Sequence, residues 1–333
     1  MPCLPLMCEV VAAWQTVDTK MHGCLKSPPT KTAIDVTIGP SETMKEKVLR
    51  VELSKAKPGY SDGCVKTFED FKTGLVGMTE DELRPWFARI KLRYSCSSIA
   101  VAFVRIVVPE LIQRGVTHLL INKSPVELST LKIYVVHFVP RQRHMVEYSL
   151  LDSMIDNLHS RTRRSRQEIL KTMSPEMRSR FTTSVKEIVE GSAVACSHNV
   201  LLASSGEILD FSGGQFTGTM LPMAYGDAAT FKASLPGDVV AFQACSEIEI
   251  EEQLNRDRHT ATTHKPYEPH NWGSRVASNV CSLTFGTSFC CVCLGTPKPA
   301  EILKRCMRCK AVLYCGKACQ RYDWGRHKAE CKA

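Results

Sequence analysis

Seven cysteines and one histidine near the C-terminus stand at metal-ligand intervals: Cys290-x2-Cys293, Cys306-x2-Cys309, Cys315-x3-Cys319 and His327-x3-Cys331. The x2 spacing lets one tight turn present two sulfurs to a single ion, and the x3 spacing puts ligands at i and i+4 on one helix face. Eight ligands make two four-coordinate sites, so two structural Zn2+ ions are expected. Such full sites leave no open position for catalysis. A segment this short cannot fold on buried apolar surface alone, so metal must supply the missing free energy. Cys291 is too close to Cys293 for the same turn and reads as a neighbouring thiol.

The other eight cysteines, at positions 3, 8, 24, 64, 96, 196, 245 and 281, follow no repeating interval and read as reduced thiols. A reducing, intracellular setting, cytoplasm or nucleus, is therefore expected. Residues 1–14 are apolar but contain Glu9 and lack a basic n-region, which makes a poor secretory signal. The longest apolar run, residues 99–109, is interrupted by Arg105 and falls well short of the ~20 residues a bilayer requires, so no membrane span is expected. Of the formal charge of +9, most sits in residues 290–333, which hold ten Lys/Arg and three Asp/Glu. Seven thiolates and two zinc ions would lower that local charge by about 3, so the bare sequence overstates affinity for nucleic acid. No groove-reading helix pattern accompanies the basic residues, and DNA binding is not expected.

A length of 333 residues suggests two or three domains. Residues 1–67 read as a partly ordered lead-in, with one strand where Leu49, Val51 and Leu53 alternate with Arg50 and Glu52. Residues 68–254 read as an α+β domain of unassigned fold, 255–289 as a linker or final strand, and 290–333 as the zinc-stabilised finger. Thr79 and Glu82 form a capping-box pattern, opening a helix with Leu83, Trp86, Phe87, Ile90 and Leu92 as apolar positions. Residues 97–114 predict a second, mostly buried helix. Strands are predicted at 116–122, 131–139, 200–203, 207–211 and 238–242, the third and fourth joined at Ser204-Ser205-Gly206. Residues 152–190 read as a long polar helical stretch whose Arg161, Arg163, Arg164 and Arg166 cover a solvated face. Glu247, Glu249, Glu251 and Glu252, alternating with Ile248 and Ile250, read as the outer face of a strand. His259, His264 and His270 are too irregularly spaced for a metal site.

Tyr314-Cys315, Cys319-Gln320, Trp324 and His327-Lys328, together with the eight ligands, resemble a MYND-type zinc finger. Spacing alone also permits sequential ligand pairing. The resemblance implies an interleaved one, with Cys290, Cys293, Cys315 and Cys319 on one ion and Cys306, Cys309, His327 and Cys331 on the other. It further implies a protein partner, in some cases a proline-containing peptide. Gln320 as hydrogen-bonder and Trp324 as aromatic platform are the candidate contacts, the alternative for Trp324 being support of the helix that carries His327.

In the main domain, Cys96 sits just before a buried helix, His198 opens a strand, and Asp210 follows the Gly206 turn. A helix N-terminus favours thiolate, and this order resembles papain-like and transglutaminase-like Cys-His-Asp folds. The segment from Gly206 through Asp210 to Gln215-Phe216 looks like their Asp-bearing stretch, although His198 has no aromatic residue beside it in sequence. Two functions remain open: an interaction or adaptor protein acting through its finger, which is the first expectation, and a cysteine-nucleophile hydrolase or acyl transferase targeted by it.

Overall fold

The computed structural model describes residues 6–8, 10–12, 29–38, 45–53, 67–72, 78–92, 96–121, 124–149, 158, 162–176, 184–190, 196–253, 290–294, 302–310 and 312–331. An antiparallel five-stranded sheet runs in the order β10 (Met223–Tyr225), β9 (Ile208–Asp210), β8 (Cys196–Leu202), β5 (Lys132–Pro140), β11 (Gly237–Ala244). The two-residue period of a strand sends alternate side chains to opposite faces. Ile133, Leu201 and Leu209 enter the main core, whereas Val136, Phe138, Val200 and Ile208 join Phe216 and Phe231 in a second cluster. The sheet is thus covered on both sides. The β8–β9 turn closes where the sequence predicts it, with Gly206 at φ +103°, a left-handed conformation that glycine adopts without penalty.

A second sheet has the order β1 (Pro29–Ile38), β2 (Lys45–Leu53), β6 (Gln142–Ser149), β7 (Ser184–Glu190). Strands β2 and β6 run parallel and the other pairs antiparallel. Arg141 alone separates β5 from β6, so the chain changes sheets across one residue.

Three helices link the sheets to the C-terminal segment. Helix α1 (Phe68–Lys72) is short, and α2 (Glu80–Leu92) opens with the expected capping box. Thr79 N–H donates to Glu82 Oε2 at 2.8 Å, and Glu82 N–H donates to Thr79 Oγ1 at 3.3 Å. The third, α3 (Cys96–Gln113), contains a π turn at Phe103–Val107 and lies against β8. By length and composition it could cross a membrane, yet Ile99, Phe103, Val107 and Leu111 are packed in the core and Arg105 pairs with Glu247.

Several expectations change. The first 67 residues supply two strands, of which β2 pairs with β6, and Leu6, Met7, Val10 and Val11 are fully buried in the main core. The helical reading of 152–190 holds at α4 (Arg166–Thr172), where Ser165 and Glu168 form a capping box, and fails at β7, which pairs with β6. The glutamate run is helical at 247–253, not a strand; the Ser246–Glu249 capping interaction starts the helix, a local bond that outweighs alternation. The proposed linker and its three histidines lie outside the described residues.

Phe87 is 1% exposed, with the Phe68 and Phe71 rings 5.7 and 5.5 Å away. Phe87→Ala is expected to destabilise the protein by about 3–5 kcal/mol. Chemical denaturation should show a lowered midpoint, and an unchanged one would contradict this packing.

Candidate functional site

The finger is built from two knuckles, a hairpin of β12 (Lys304–Arg305) and β13 (Leu313–Tyr314), and a helix, which we label α7 (Lys317–Glu330) after α5 (Gly214–Thr217) and α6 (Ala228–Ser234). Both knuckles close alike. Leu294 N–H donates to the Cys290 carbonyl at 2.8 Å, and Lys310 N–H to the Cys306 carbonyl at 2.9 Å. Leu294 and Lys310 sit at φ +54° and +58°. Left-handed backbone at such residues costs roughly 1–2 kcal/mol, which the metal-closed turn must offset. Cys319 and His327 lie on α7, whereas Cys315 precedes it and Cys331 caps its end, so the x3 pairs straddle the helix termini instead of lying within them.

Cys290, Cys293, Cys315 and Cys319 form one cluster, and Cys306, Cys309, His327 and Cys331 the other, with the ligand atoms of each cluster within 4.8 Å of one another. A tetrahedral ion bound at about 2.3 Å to sulfur would hold its ligands about 3.8 Å apart. The Cys293–Cys315, Cys315–Cys319 and Cys306–Cys331 sulfur separations are 3.6, 3.4 and 3.8 Å. His327 Nε2 lies 3.4 Å from the sulfurs of both Cys306 and Cys309. Both donor sets therefore fit zinc, in the interleaved pairing. Cys291 belongs to neither; its thiol donates to Asp323 at 3.7 Å, and Asp323 also accepts the Tyr314 hydroxyl at 3.0 Å. Trp324 is 40% exposed, its ring 6.1 Å from that of His327, and Gln320 is half-buried one turn earlier.

A second constellation forms in the main domain. Leu201 pairs with Leu209 and Leu202 with Ile208, so parity puts positions 198, 200 and 210 on one face of the sheet. His198 Nε2 lies 2.9 Å from Asp210 Oδ1, and both residues are sealed from solvent. Asp210 Oδ1 also accepts Ser212 N–H at 3.1 Å. Cys96, half-buried at the start of α3, meets the His198 ring. The structure thus brings together Cys96, His198 and Asp210.

Burial works to raise the Cys96 thiol, yet it sits below the ordinary cysteine range. His198 opposes burial by hydrogen bond and charge, helped by the backbone N–H groups of Asn199 and Ser97. Burial likewise works to lower His198, but the Asp210 carboxylate, with the Cys96 sulfur behind it, pushes it up to about 10. Both shifts favour the charged form of the group concerned, the thiol being lowered and the imidazole raised. Cys245 goes the other way: burial and the nearby Glu249 charge push it up to about 11.

Three neighbours escaped sequence reasoning as site residues. The Gln215 side-chain amide lies 3.0 Å from His198 Nδ1. The Phe216 ring stands edge-on to the imidazole at 4.8 Å, supplying from a helix the aromatic neighbour missing beside His198 in sequence. Asn199 bridges two thiols, its Oδ1 3.9 Å from Cys96 Sγ and its Nδ2 donating to Cys245 Sγ at 3.4 Å. Gln215-Phe216 carried a signal, being in the stretch resembling an Asp-bearing segment; Asn199 and Cys245 carried none.

Residues 290–331 match the family model of the MYND finger, a protein-interaction module. SET domain-containing protein 14 of Caenorhabditis elegans is 50% identical over 46 residues, which is 14% of this chain and 10% of that protein. The chain thus matches about a tenth of that relative's length. No solved structure matches.

The charge state of Cys96 has a direct readout. At pH 7, iodoacetamide should alkylate Cys96 at least about tenfold faster than Cys245. The Cys96 rate should fall only as pH drops through its depressed thiol value, while that of Cys245 should rise as pH approaches about 11. His198→Ala should erase the low-pH reactivity of Cys96. Equal rates for the two thiols at pH 7 would contradict their opposite shifts.

Proposed function

We propose that the chain is a cysteine-nucleophile hydrolase or acyl transferase whose C-terminal finger binds a protein partner. The convergence of Cys96, His198 and Asp210 carries this reading: His198 and Asp210 are sealed from solvent, and the half-buried Cys96 meets the ring from the start of α3. Sealing strengthens the Asp210 hold on the imidazole, and the helix start favours negative sulfur.

The chemistry that follows is acyl transfer. The thiolate attacks an acyl carbon and the carbonyl electron pair moves to oxygen. Collapse expels an amine or alcohol, which takes its proton from the imidazolium, and leaves a thioester on Cys96. Water or an acceptor amine then attacks the thioester, yields its proton to His198 and releases the thiolate. Asp210 holds the ring and its charge throughout without giving up or taking a proton.

The partner surface proposed is the Gln320–Trp324 face of α7, fitted to a proline-containing peptide. At about 100° per residue, these positions lie across α7 from Ala318 and Tyr322, which line the crevice against α2, and beside Arg321. That face therefore stays open while the finger is docked. All twelve described cysteines are free of disulfides, in keeping with a reducing, intracellular setting.

With the zinc-loaded full chain, a p-nitrophenyl ester should give a burst of nitrophenolate and an acyl adduct on Cys96, detected by mass spectrometry. His198→Ala should slow the burst by about 100-fold or more. Turnover unchanged in Cys96→Ala would sink the enzymatic reading. Separately, Trp324→Ala should weaken binding to an array of proline-containing peptides about tenfold or more; equal binding would remove that face from consideration without touching the catalytic proposal.

A further inference from the structure

Arg84 is a charged side chain with no place in the acyl-transfer chemistry, and it is 8% exposed on α2. A guanidinium stays protonated in any protein environment, so burying it demands a compensating anion. Glu80, one turn earlier, is engaged by Lys72 at 2.8 Å and Arg321 at 3.5 Å. Arg84 instead donates from Nη1 to Cys319 Sγ at 3.5 Å. Its guanidinium carbon lies 4.2 Å from the centre of the Phe68 ring, on the main domain, and 4.7 Å from that of Tyr322, on the finger. Its Nη2 is buried without a hydrogen-bond partner among the described residues. The crevice around it, lined in part by Phe68, Phe87, Met220, Val292 and Tyr322, measures about 20 Å³, which admits one water at most.

Four thiolates around one zinc ion carry a net charge of about −2, the larger excess of the two clusters, since His327 makes the other about −1. That charge is buried against the main domain. We propose that Arg84 is the counter-ion of the Cys290–Cys293–Cys315–Cys319 zinc site, supporting the ligand Cys319 from the main domain and so locking the finger onto α2. N–H donation to a metal-bound thiolate draws off excess negative charge and orients the sulfur. The locked site is the tetrathiolate one alone.

The test uses the full chain, loaded with zinc for release kinetics and with cadmium-113 for NMR, where a donor set of four sulfurs and one of three sulfurs with a ring nitrogen give separate resonances. Arg84→Met should speed chelator removal of one of the two zinc ions by about 10-fold or more, leave the other at the wild-type rate, and move only the tetrathiolate resonance. Should that variant not fold, Arg84→Lys keeps the cation but loses the planar fork, and it should likewise move the tetrathiolate resonance alone. Both zinc ions leaving at wild-type rates, both leaving faster together, or an unmoved tetrathiolate resonance would each overturn the proposal.

Discussion

Helix α2 is thirteen residues long, and seven of its positions, Leu83, Arg84, Trp86, Phe87, Ala88, Ile90 and Leu92, are buried. An amphipathic helix on one core buries a single stripe; one buried so widely must be covered from more than one side. Here the finger takes one side, and the hairpin-and-helix region around His198 takes another. Arg84 faces Cys319, and five residues on, about 140° round the helix, Arg89 donates to the Phe216 carbonyl at 3.1 Å. Gly218 ends α5 at φ +77°, where a Cβ would stand 2.6 Å from Pro85 Cβ, so α2 and α5 approach as closely as backbone allows. The packing of α2 thereby connects both candidate sites.

Sulfur is used in two opposite ways around that helix. In the finger, thiols converge so closely that only a metal can hold them as thiolates, and their burial then costs little because charge is neutralised at the centre. In the main domain, a single thiol faces an imidazole whose charge is secured by a buried carboxylate. The remaining cysteines near each site are parked: Cys291 donates to Asp323, and Cys245 accepts from Asn199. Environment, not residue type, separates the clustered thiols, the one beside the imidazole and the bystanders.

Local rules were readable wherever a few neighbouring residues set the geometry. The Thr79–Glu82 cap, the Gly206 turn and the two knuckles are each closed by bonds spanning three or four positions. The failures have the same root. Residues 184–190 alternate too weakly to declare a strand, and only pairing with β6 makes them one. The glutamates at 247–252 alternate like a strand but follow a serine cap that starts a helix.

The eight zinc ligands and the finger were legible from spacing alone, because intervals of two or three residues are a property of one turn of backbone. The sequence also offered Cys96, His198 and Asp210 as separate candidates. Tertiary structure decided which knuckle shares an ion with which pair, that the three candidates meet, that Phe216 and Gln215 flank the imidazole, and that Arg84 reaches Cys319 across 235 positions. Such contacts depend on strand register and on how helices stack, and those are settled by the burial of the whole chain at once.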